Sequence, residues 1–162
     1  MNVYEYVFTS LTGGSLPLGN WRGQPILIVN TASQCGYTPQ YAKLQRLWND
    51  YRQSGLIVLG IPSNDFGEQE PHDEDVIAEF CATTYNVTFP MTSKQHVMGR
   101  AAHPLYIAIR EEFGEDASPR WNFFKYLFDR RGQLVEHWPS AIEPDDPAVT
   151  QQINRNLHSW IL

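Results

Sequence analysis

The chain has 162 residues, a net charge of −6 at pH 7 and only two cysteines. Its length and 42% hydrophobic content predict one domain, residues 1–162, whose core needs neither a metal nor a disulfide. The acidic balance disfavours binding to nucleic-acid phosphates, and the lack of an apolar run of about 18 residues excludes a membrane-spanning helix.

The first predicted elements alternate between strand and helix. Residues 10–24, rich in Gly, Pro and Ser, suggest a short hairpin or turn, and residues 25–31 predict a central strand that is apolar on both faces. After a polar turn, Thr38 is a candidate helix cap with Pro39 in the first helical position. Apolar residues at helical spacing then predict a helix that ends at Gly55.

The middle of the chain continues the alternation. Residues 56–61 predict a second apolar strand, and the acidic residues 73–75 suit the first turn of a second helix because of the helix dipole. Residues 88–91 look like a short strand, and residues 101–112 predict a third helix.

The last elements are a hairpin and a helix. Residues 123–128 and 133–138 predict two strands joined by a turn at 129–132. A final helix opens at Asp146, with apolar residues four apart at Val149, Ile153, Leu157 and Ile161. The order predicts a three-layer α/β fold, in which helices flank both faces of a mixed central β-sheet.

Cys35 lies between the end of the central strand and the start of the first helix. The partial positive charge of a helix N-terminus favours the thiolate, which is the reactive form of cysteine. This position suits a nucleophile or a peroxide-sensing cysteine. Free cysteine is also among the most buried residue types, so position alone leaves both interpretations open.

Cys81 falls within the second helix pattern, beside Phe80, and by itself favours a core residue. It would gain a function if Cys35 were oxidised, because a sulfenic acid needs a second thiol to form a disulfide. Direct bonding requires Cα atoms within about 7 Å, so the helix must then lie near Cys35 or unwind locally.

The expected compartment bears on both cysteines. Residues Met1–Tyr6 lack the basic head and apolar run of a signal peptide, so we expect a cytoplasmic protein. Thiols are mostly kept reduced there, and a standing structural disulfide is not expected. The two cysteines are therefore either inert core residues or a redox pair.

Metal and nucleotide chemistry find no support in the sequence. The histidines show no metal-ligand spacing, and two distant cysteines do not make a zinc site. Residues 31–36 lack the glycines and lysine of a phosphate-binding loop, and His103 with Pro104 indicates a helix start. We expect no metal and no cofactor. The five histidines are His72, His96, His103, His137 and His158.

Trp121 and Asn122 are a further pair of side chains that could bind a peroxide. The indole N–H of Trp121 and the amide of Asn122 are donors that could hold a thiolate or polarise a peroxide oxygen. Without further context, a core tryptophan beside a loop-ending asparagine is the favoured interpretation. Gln69 is, on the same basis, a polar loop residue.

Six separated motifs resemble the glutathione peroxidase family over nearly the whole chain. The segment 30–38 (NTASQCGYT) looks like the peroxidatic-cysteine motif, and 61–71 (IPSNDFGEQEP) looks like the second signature. Four shorter motifs follow in the family's order, at residues 80–81, 87–90, 102–106 and 121–123. One such match would be weak, but six in order are a specific signal.

The resemblance implies a thioredoxin-like fold and an active site of Cys35, Gln69, Trp121 and Asn122. Cys35 would attack the peroxide, and the other three would orient it and stabilise its thiolate. Cys81 falls where the thioredoxin-dependent members of the family carry their resolving cysteine.

Three departures from the family pattern refine this expectation. Ser63 occupies the position of the cysteine in the second signature, which leaves Cys81 as the only intramolecular resolver. Asp65 replaces the family's usual glutamine. The stretch 111–120 is short and lacks the loop that tetrameric members use for assembly, so we expect a monomer.

The resemblance therefore implies a thiol peroxidase that reduces hydrogen peroxide and organic hydroperoxides, including lipid hydroperoxides. The Cys35 sulfenic acid would condense with Cys81, and thioredoxin would reduce the resulting disulfide. Glutathione is a second candidate reductant. Two different functions stay open as hypotheses, namely a peroxide sensor that passes a disulfide to a partner protein and an inactive thioredoxin-fold binding module.

Overall fold

The chain forms six strands and four α-helices within the residues that the structure describes. The computed structural model describes residues 1–157. The strands are β1 (Val7–Thr9), β2 (Ser15–Pro17), β3 (Ile26–Thr31), β4 (Ile57–Pro62), β5 (Lys125–Phe128) and β6 (Leu134–Trp138). The helices are α1 (Gln40–Tyr51), α2 (Glu74–Thr84), α3 (Pro104–Phe113) and α4 (Pro147–Leu157).

The main sheet is mixed and has the strand order β4-β3-β5-β6. Strands β3 and β4 run parallel, with Ile28 opposite Leu59, and each of their residues is buried because helices cover both faces. Strand β5 runs antiparallel to both β3 and β6. Strands β1 and β2 form a separate hairpin, as the turn-rich segment 10–24 predicts.

The two faces of the main sheet bury alternate residues of the central strands. Ile26 and Ile28 point into a cluster with the apolar face of α3, and Leu27 and Val29 point into a second cluster with α1, α2 and α4. The predicted mixed sheet with helices on both faces is confirmed.

The start of α1 differs from the prediction. Pro39 occupies the cap position instead of the first helical position, and α1 begins at Gln40. The Thr38 hydroxyl does not cap α1, because it accepts a hydrogen bond from Cys35 N at 2.9 Å and donates to Ala32 O at 2.8 Å. The predicted end is confirmed, since Gly55 adopts φ +111° after one turn of 3-10 helix.

Residues 88–91 do not form the predicted strand. They contribute a single parallel bridge, between Met91 and Gly60, flanked by hydrogen bonds from Gly60 N to Pro90 O and from Thr92 N to Gly60 O. Pro90 has no backbone N–H, so the pairing cannot extend into a ladder.

The remaining boundaries shift by a few residues. Helix α3 begins at Pro104 and not at residue 101, and the His103 ring accepts a hydrogen bond from Leu105 N at 3.1 Å, which confirms the helix start predicted there. Ile161, which the sequence places on the apolar face of the last helix, and His158 lie outside the described residues. Within residues 1–157, no helix has the length and apolar character needed to cross a bilayer.

Candidate active site

The candidate residues flank strand ends at one edge of the main sheet. The carboxyl ends of β3 and β4 lie at this edge because the two strands are parallel, and the amino end of β5 joins them because β5 is antiparallel to β3. Cys35 follows β3, Gln69 follows β4, and Trp121 with Asn122 precedes β5. Crevices at the carboxyl ends of parallel strands are the usual ligand sites of open α/β sheets.

Cys35 lies in a tight turn that directs a backbone donor at its sulfur. The Tyr37 N–H donates to Cys35 Sγ at 3.3 Å, and the side chain of Cys35 is 8% exposed. Thr38 holds the turn through its bonds to Cys35 N and Ala32 O. The turn therefore holds a backbone N–H donor directly beside the sulfur.

Gln69 and Asn122 are joined directly. Asn122 Nδ2 donates to Gln69 Oε1 at 2.9 Å and lies 3.4 Å from Phe66 O. Asn122 is fully buried, and its Oδ1 has no hydrogen-bond partner among the described residues. This oxygen is therefore a buried acceptor that no described residue uses, which is unusual for a polar atom in a protein interior.

Trp121 packs on the loop that carries Gln69. A Cβ on Gly67, which adopts φ +67°, would lie 2.9 Å from the Trp121 ring and 3.5 Å from the Gln69 side chain. The Phe66 ring centroid lies 5.9 Å from that of Trp121. A side chain at position 67 would clash with the indole, so the glycine allows Trp121 to lie this close to the loop.

The Cys35 turn is tied to the Gln69 segment at two points. Gln34 N donates to Gln69 O at 3.0 Å, and the Ser33 hydroxyl donates to Glu70 Oε1 at 2.8 Å. Asn122 therefore contacts Gln69 directly, Trp121 lies against the same loop at Phe66 and Gly67, and the cysteine turn is fastened to that loop.

Glu70 is a buried carboxyl group between the two segments. Burial raises its pKa to about 7, although the Ser33 hydrogen bonds and the positive charge of Lys94 act in the opposite direction. Lys94 Nζ also donates to the carbonyl oxygens of Glu70 and His72, at 3.3 and 2.9 Å. Glu70 thus carries an ionisable group of near-neutral pKa next to the cysteine turn.

Cys81 is a free thiol on α2, 3% exposed, and Cys35 is also free. Burial raises the pKa of Cys81 to about 11, while the neighbouring Tyr41 hydroxyl lowers it by a smaller amount. Both cysteines border the apolar cluster that contains Tyr41. A cavity of about 280 Å³ adjoins Cys81 on the side of the β1–β2 hairpin, with Leu11 among its lining residues.

The two departures in the second signature have local structural partners. Ser63 is buried, and its hydroxyl accepts a hydrogen bond from Asp65 N at 3.3 Å. The Asp65 carboxylate contacts His96 Nδ1 at 2.7 Å and accepts from Val97 N at 2.7 Å. Asp65 therefore anchors the segment before α3, and its carboxylate bonds there and not to the side chains of Gln69 or Asn122.

Asn30 is a site residue that the sequence reasoning did not single out. Its Nδ2 donates to Trp121 O at 3.1 Å, and its Oδ1 accepts from Phe124 N at 3.1 Å. Phe123 N donates to Asn30 O, and Phe123 adopts φ +62°. A polar residue inside the apolar β3 sequence is the signal that could have identified it.

The histidines form no metal site in the described part of the chain. No group of three or more His, Cys, Asp or Glu residues there could hold a metal ion. His72 contacts Gln34 across the two site loops, with Nε2 atoms 3.4 Å apart, and the His103 ring stacks on Phe8.

Comparison with protein-family models gives one match. The model described as glutathione peroxidase matches residues 3–110, which include Cys35, Gln69 and Cys81. The match covers two thirds of the chain.

Several named proteins are similar over most of their length. The glutathione peroxidase homolog BsaA of Bacillus subtilis is 42% identical over 161 residues, covering 94% of this chain and all of that protein. The hydroperoxy fatty acid reductase of Synechocystis sp. is 42% identical, over 91% of this chain and 92% of its own. A glutathione peroxidase-like peroxiredoxin of Schizosaccharomyces pombe is 42% identical, over 88% and 91% respectively.

Solved structures show the same fold. The crystal structure of T. cruzi GPX1 has a TM-score of 0.76 and 30% identity, covering 97% of each chain. A putative thiol:disulfide interchange protein DsbE from Chlorobium tepidum has a TM-score of 0.67 at 16% identity, covering 96% of this chain and 95% of its own. The thioredoxin-like fold predicted from the resemblance is confirmed.

Proposed function

This chain belongs to the glutathione peroxidase family and is a thiol peroxidase that reduces hydroperoxides, and we propose that Cys35 is its peroxidatic cysteine and thioredoxin its reductant. The observation that carries the proposal is the Asn122–Gln69 hydrogen bond, on a loop fastened to the Cys35 turn. Hydrogen peroxide and organic hydroperoxides, including lipid hydroperoxides, are the proposed substrates. The name of the Synechocystis relative supports the fatty-acid part of this assignment.

The first step is attack by the Cys35 thiolate on the terminal peroxide oxygen. The O–O bond breaks, the sulfur is oxidised to a sulfenic acid, and the departing alkoxide takes a proton and leaves as an alcohol, or as water from hydrogen peroxide. The Trp121 indole and the Gln69 amide supply N–H donors, and Asn122 holds Gln69 in place by donating to its Oε1. Donors held in place stabilise the charge that develops on the leaving oxygen.

The second step is resolution by Cys81. Its thiol attacks the Cys35 sulfenic acid, so that an S–S bond forms, the S–O bond breaks and water leaves. Burial and the raised pKa keep the Cys81 thiol protonated and unreactive in the reduced protein. We propose that α2 moves or unwinds locally to bring Cys81 to the sulfenic acid.

Thioredoxin then reduces the disulfide by thiol–disulfide exchange. The presence of Cys81 favours this reductant over glutathione, and a chain with net charge −6 offers no general attraction to anionic glutathione. The cytoplasm and a monomeric state are the proposed setting. The short segment between α3 and β5, which contains a single 3-10 turn at Glu115–Ala117, supports the monomer.

Steady-state assays with two variants test the assignment. Cys35→Ser is expected to abolish peroxide consumption with every reductant. Cys81→Ser is expected to retain one stoichiometric round of peroxide reduction and to lose turnover supported by thioredoxin. Unchanged thioredoxin-dependent turnover in Cys81→Ser would contradict the two-cysteine mechanism. Turnover of the wild type with glutathione alone would show that glutathione, and not thioredoxin, is the reductant.

A further inference from the structure

A fully buried lysine lies behind the Trp121–Asn122 pair and takes no part in the proposed chemical steps. Lys125 is the first residue of β5, and its side chain is inaccessible to solvent. The remaining residues of β5 are apolar, namely Tyr126, Leu127 and Phe128. Burying an amine costs free energy unless hydrogen bonds compensate, so an apolar residue would be the simpler solution for the core.

The Lys125 amine is held by backbone carbonyl groups. Its Nζ lies 2.7 Å from Phe123 O and 3.5 Å from Ser140 O. Burial lowers the pKa of Lys125 to about 7, and the carboxylate of Glu143, which forms an ion pair with Lys43, partly opposes the shift. Both the charged and the neutral amine can donate these bonds.

Both residues whose carbonyl groups accept from Lys125 are connected directly to Asn122. The hydroxyl of Ser140 donates to Asn122 O, and Phe123 follows Asn122 in the chain. Phe123 adopts φ +62°, a left-handed conformation that costs a phenylalanine about 1–3 kcal/mol and persists only where its surroundings hold it. Lys125 therefore donates a hydrogen bond to the carbonyl group of the strained residue. On its other side, Asn30 accepts hydrogen bonds from the N–H groups of Phe123 and Phe124.

Ser140 is fixed from a second direction. Gln40 Nε2, at the start of α1, donates to Ser140 O at 2.7 Å. Gln40, Ser140 and Lys125 thus form one buried network that ends on the backbone of Asn122. The Asn122 side chain carries the network onward to Gln69 through the 2.9 Å hydrogen bond.

We propose that Lys125 is a positioning residue for peroxide reduction, which aligns Asn122 and Trp121 through the carbonyl groups of Phe123 and Ser140. The proposal rests on the proposed function, in which Trp121 and the Gln69 amide held by Asn122 act on the peroxide. Without the amine, the left-handed turn at Phe123 relaxes and Asn122 loses its alignment with Gln69. A misplacement of about 1 Å can cost a reaction up to about a hundredfold in rate.

The experiment separates the two half-reactions in Lys125→Met, which removes the donors but keeps a long unbranched side chain. The second-order rate constant for Cys35 oxidation by hydrogen peroxide is measured by stopped flow. The rate of thioredoxin reduction of the preoxidised protein is measured separately. We expect the first rate constant to fall about tenfold or more and the second to stay at the wild-type value.

Two further variants make the result specific. Ser140→Ala removes the hydroxyl bond to Asn122 O and is expected to slow the same step, so the proposal stays testable even if Lys125→Met does not fold. Arg46→Met is the matched control, because it removes an exposed basic side chain of α1 that lies outside the Lys125 network. It is expected to leave both half-reactions unchanged.

A spectroscopic readout completes the test. The side-chain amide NMR signals of Asn122 are expected to shift in Lys125→Met and not in Arg46→Met. Wild-type oxidation rates in folded Lys125→Met, or in Ser140→Ala if Lys125→Met does not fold, would overturn the proposal. If the wild-type protein itself fails to react at Cys35, the proposed function fails instead, and the two outcomes are distinguishable.

Discussion

Asn122 donates a side-chain hydrogen bond to Gln69 at 2.9 Å, and this bond joins two loops that are 53 residues apart in the chain. Neither residue has a regular secondary structure around it to fix its position. Their orientation depends instead on the contacts that hold each loop, which include Gly67 beneath Trp121 and Asn30 beneath the backbone of residues 121–124.

The bond predicts that Gln69 and Asn122 act as one unit. Gln69→Ala and Asn122→Ala are each expected to lower the rate constant of Cys35 oxidation by about ten- to a hundredfold, because each removes a donor or misplaces one. The double variant should be little slower than the slower single variant, since contacting residues are not additive. Stopped-flow oxidation by one equivalent of peroxide measures all three.

The matched control for this series is Asn49→Ala. Asn49 also forms an Asn–Gln pair, accepting from Gln45 Nε2 at 3.0 Å, but the pair lies on α1 away from the site loops. Oxidation of Cys35 at the wild-type rate is expected. Effects of Gln69→Ala and Asn122→Ala that simply multiply in the double variant would contradict the coupling.

Gly67→Ala tests the close approach of Trp121. The added methyl group would lie 2.9 Å from the indole, at a backbone φ of +67°, so the ring must move. We expect a loss of about 1–3 kcal/mol in the free energy of unfolding and a slower oxidation of Cys35. Gly99→Ala, with φ +76° and no atom within 4 Å of the new methyl group, isolates the backbone strain. Gly99→Ala should lose about as much unfolding free energy as the backbone strain accounts for and should keep the wild-type rate of Cys35 oxidation. Equal oxidation rates in Gly67→Ala and Gly99→Ala would argue against a role for the position of the indole.

Glu70→Gln tests the buried carboxyl group. Burial raises the pKa of Glu70 from 4.5 to about 7, so folding disfavours its ionised form, and this group's contribution to stability falls as the pH rises from about 4.5 to 7. Replacing it with glutamine removes the titration and keeps an acceptor for Ser33. Relative to wild type, the variant should therefore gain about 2–3 kcal/mol between about pH 4 and pH 8.

Denaturant unfolding at several pH values measures this difference. Glu68→Gln, at the neighbouring exposed position, is the matched control for removing a carboxylate from the same loop. A pH dependence in Glu70→Gln that matches the Glu68→Gln variant would show that the buried carboxyl group does not titrate near pH 7.

The thiols should differ in reactivity toward alkylation. Cys81 is buried with a pKa raised to about 11, so only about one molecule in a thousand carries its thiolate near pH 8. Cys35 has a backbone donor at its sulfur, 3.3 Å from Tyr37 N. Brief treatment of the reduced protein with iodoacetamide should modify Cys35 well before Cys81, as measured by peptide mass analysis. Both should react after unfolding, and equal modification in the folded protein would contradict the burial of Cys81.

The regular part of the fold follows from the sequence because burial leaves a strong pattern. Continuous apolar residues predict β3 and β4, and Gly55 marks the end of the first helical segment. The errors arise where one residue has a local hydrogen-bonding constraint that the hydrophobic pattern does not show. Thr38 bonds the Cys35 turn and not the helix, and Pro90 prevents residues 88–91 from forming a ladder.

The site follows from the sequence only in part. Strand order places Cys35, Gln69 and Asn122 near one edge, but the hydrogen bond between the last two depends on loop conformations that have no periodic signal. The positive φ of Phe123 and the burial of Lys125 are likewise invisible in a sequence that indicates only a strand. They result from tertiary contacts with Asn30, Ser140 and the α1 helix.

Mass analysis of the protein after one equivalent of hydrogen peroxide tests the central claim most directly. The two-cysteine mechanism predicts an intramolecular Cys35–Cys81 disulfide, seen as the loss of both thiol hydrogens and as one cross-linked peptide pair in a digest made without reductant. Cys81→Ser should instead give a Cys35 sulfenic acid that a dimedone probe captures. A wild-type protein that accumulates the sulfenic acid, with Cys81 still a free thiol, would contradict the account.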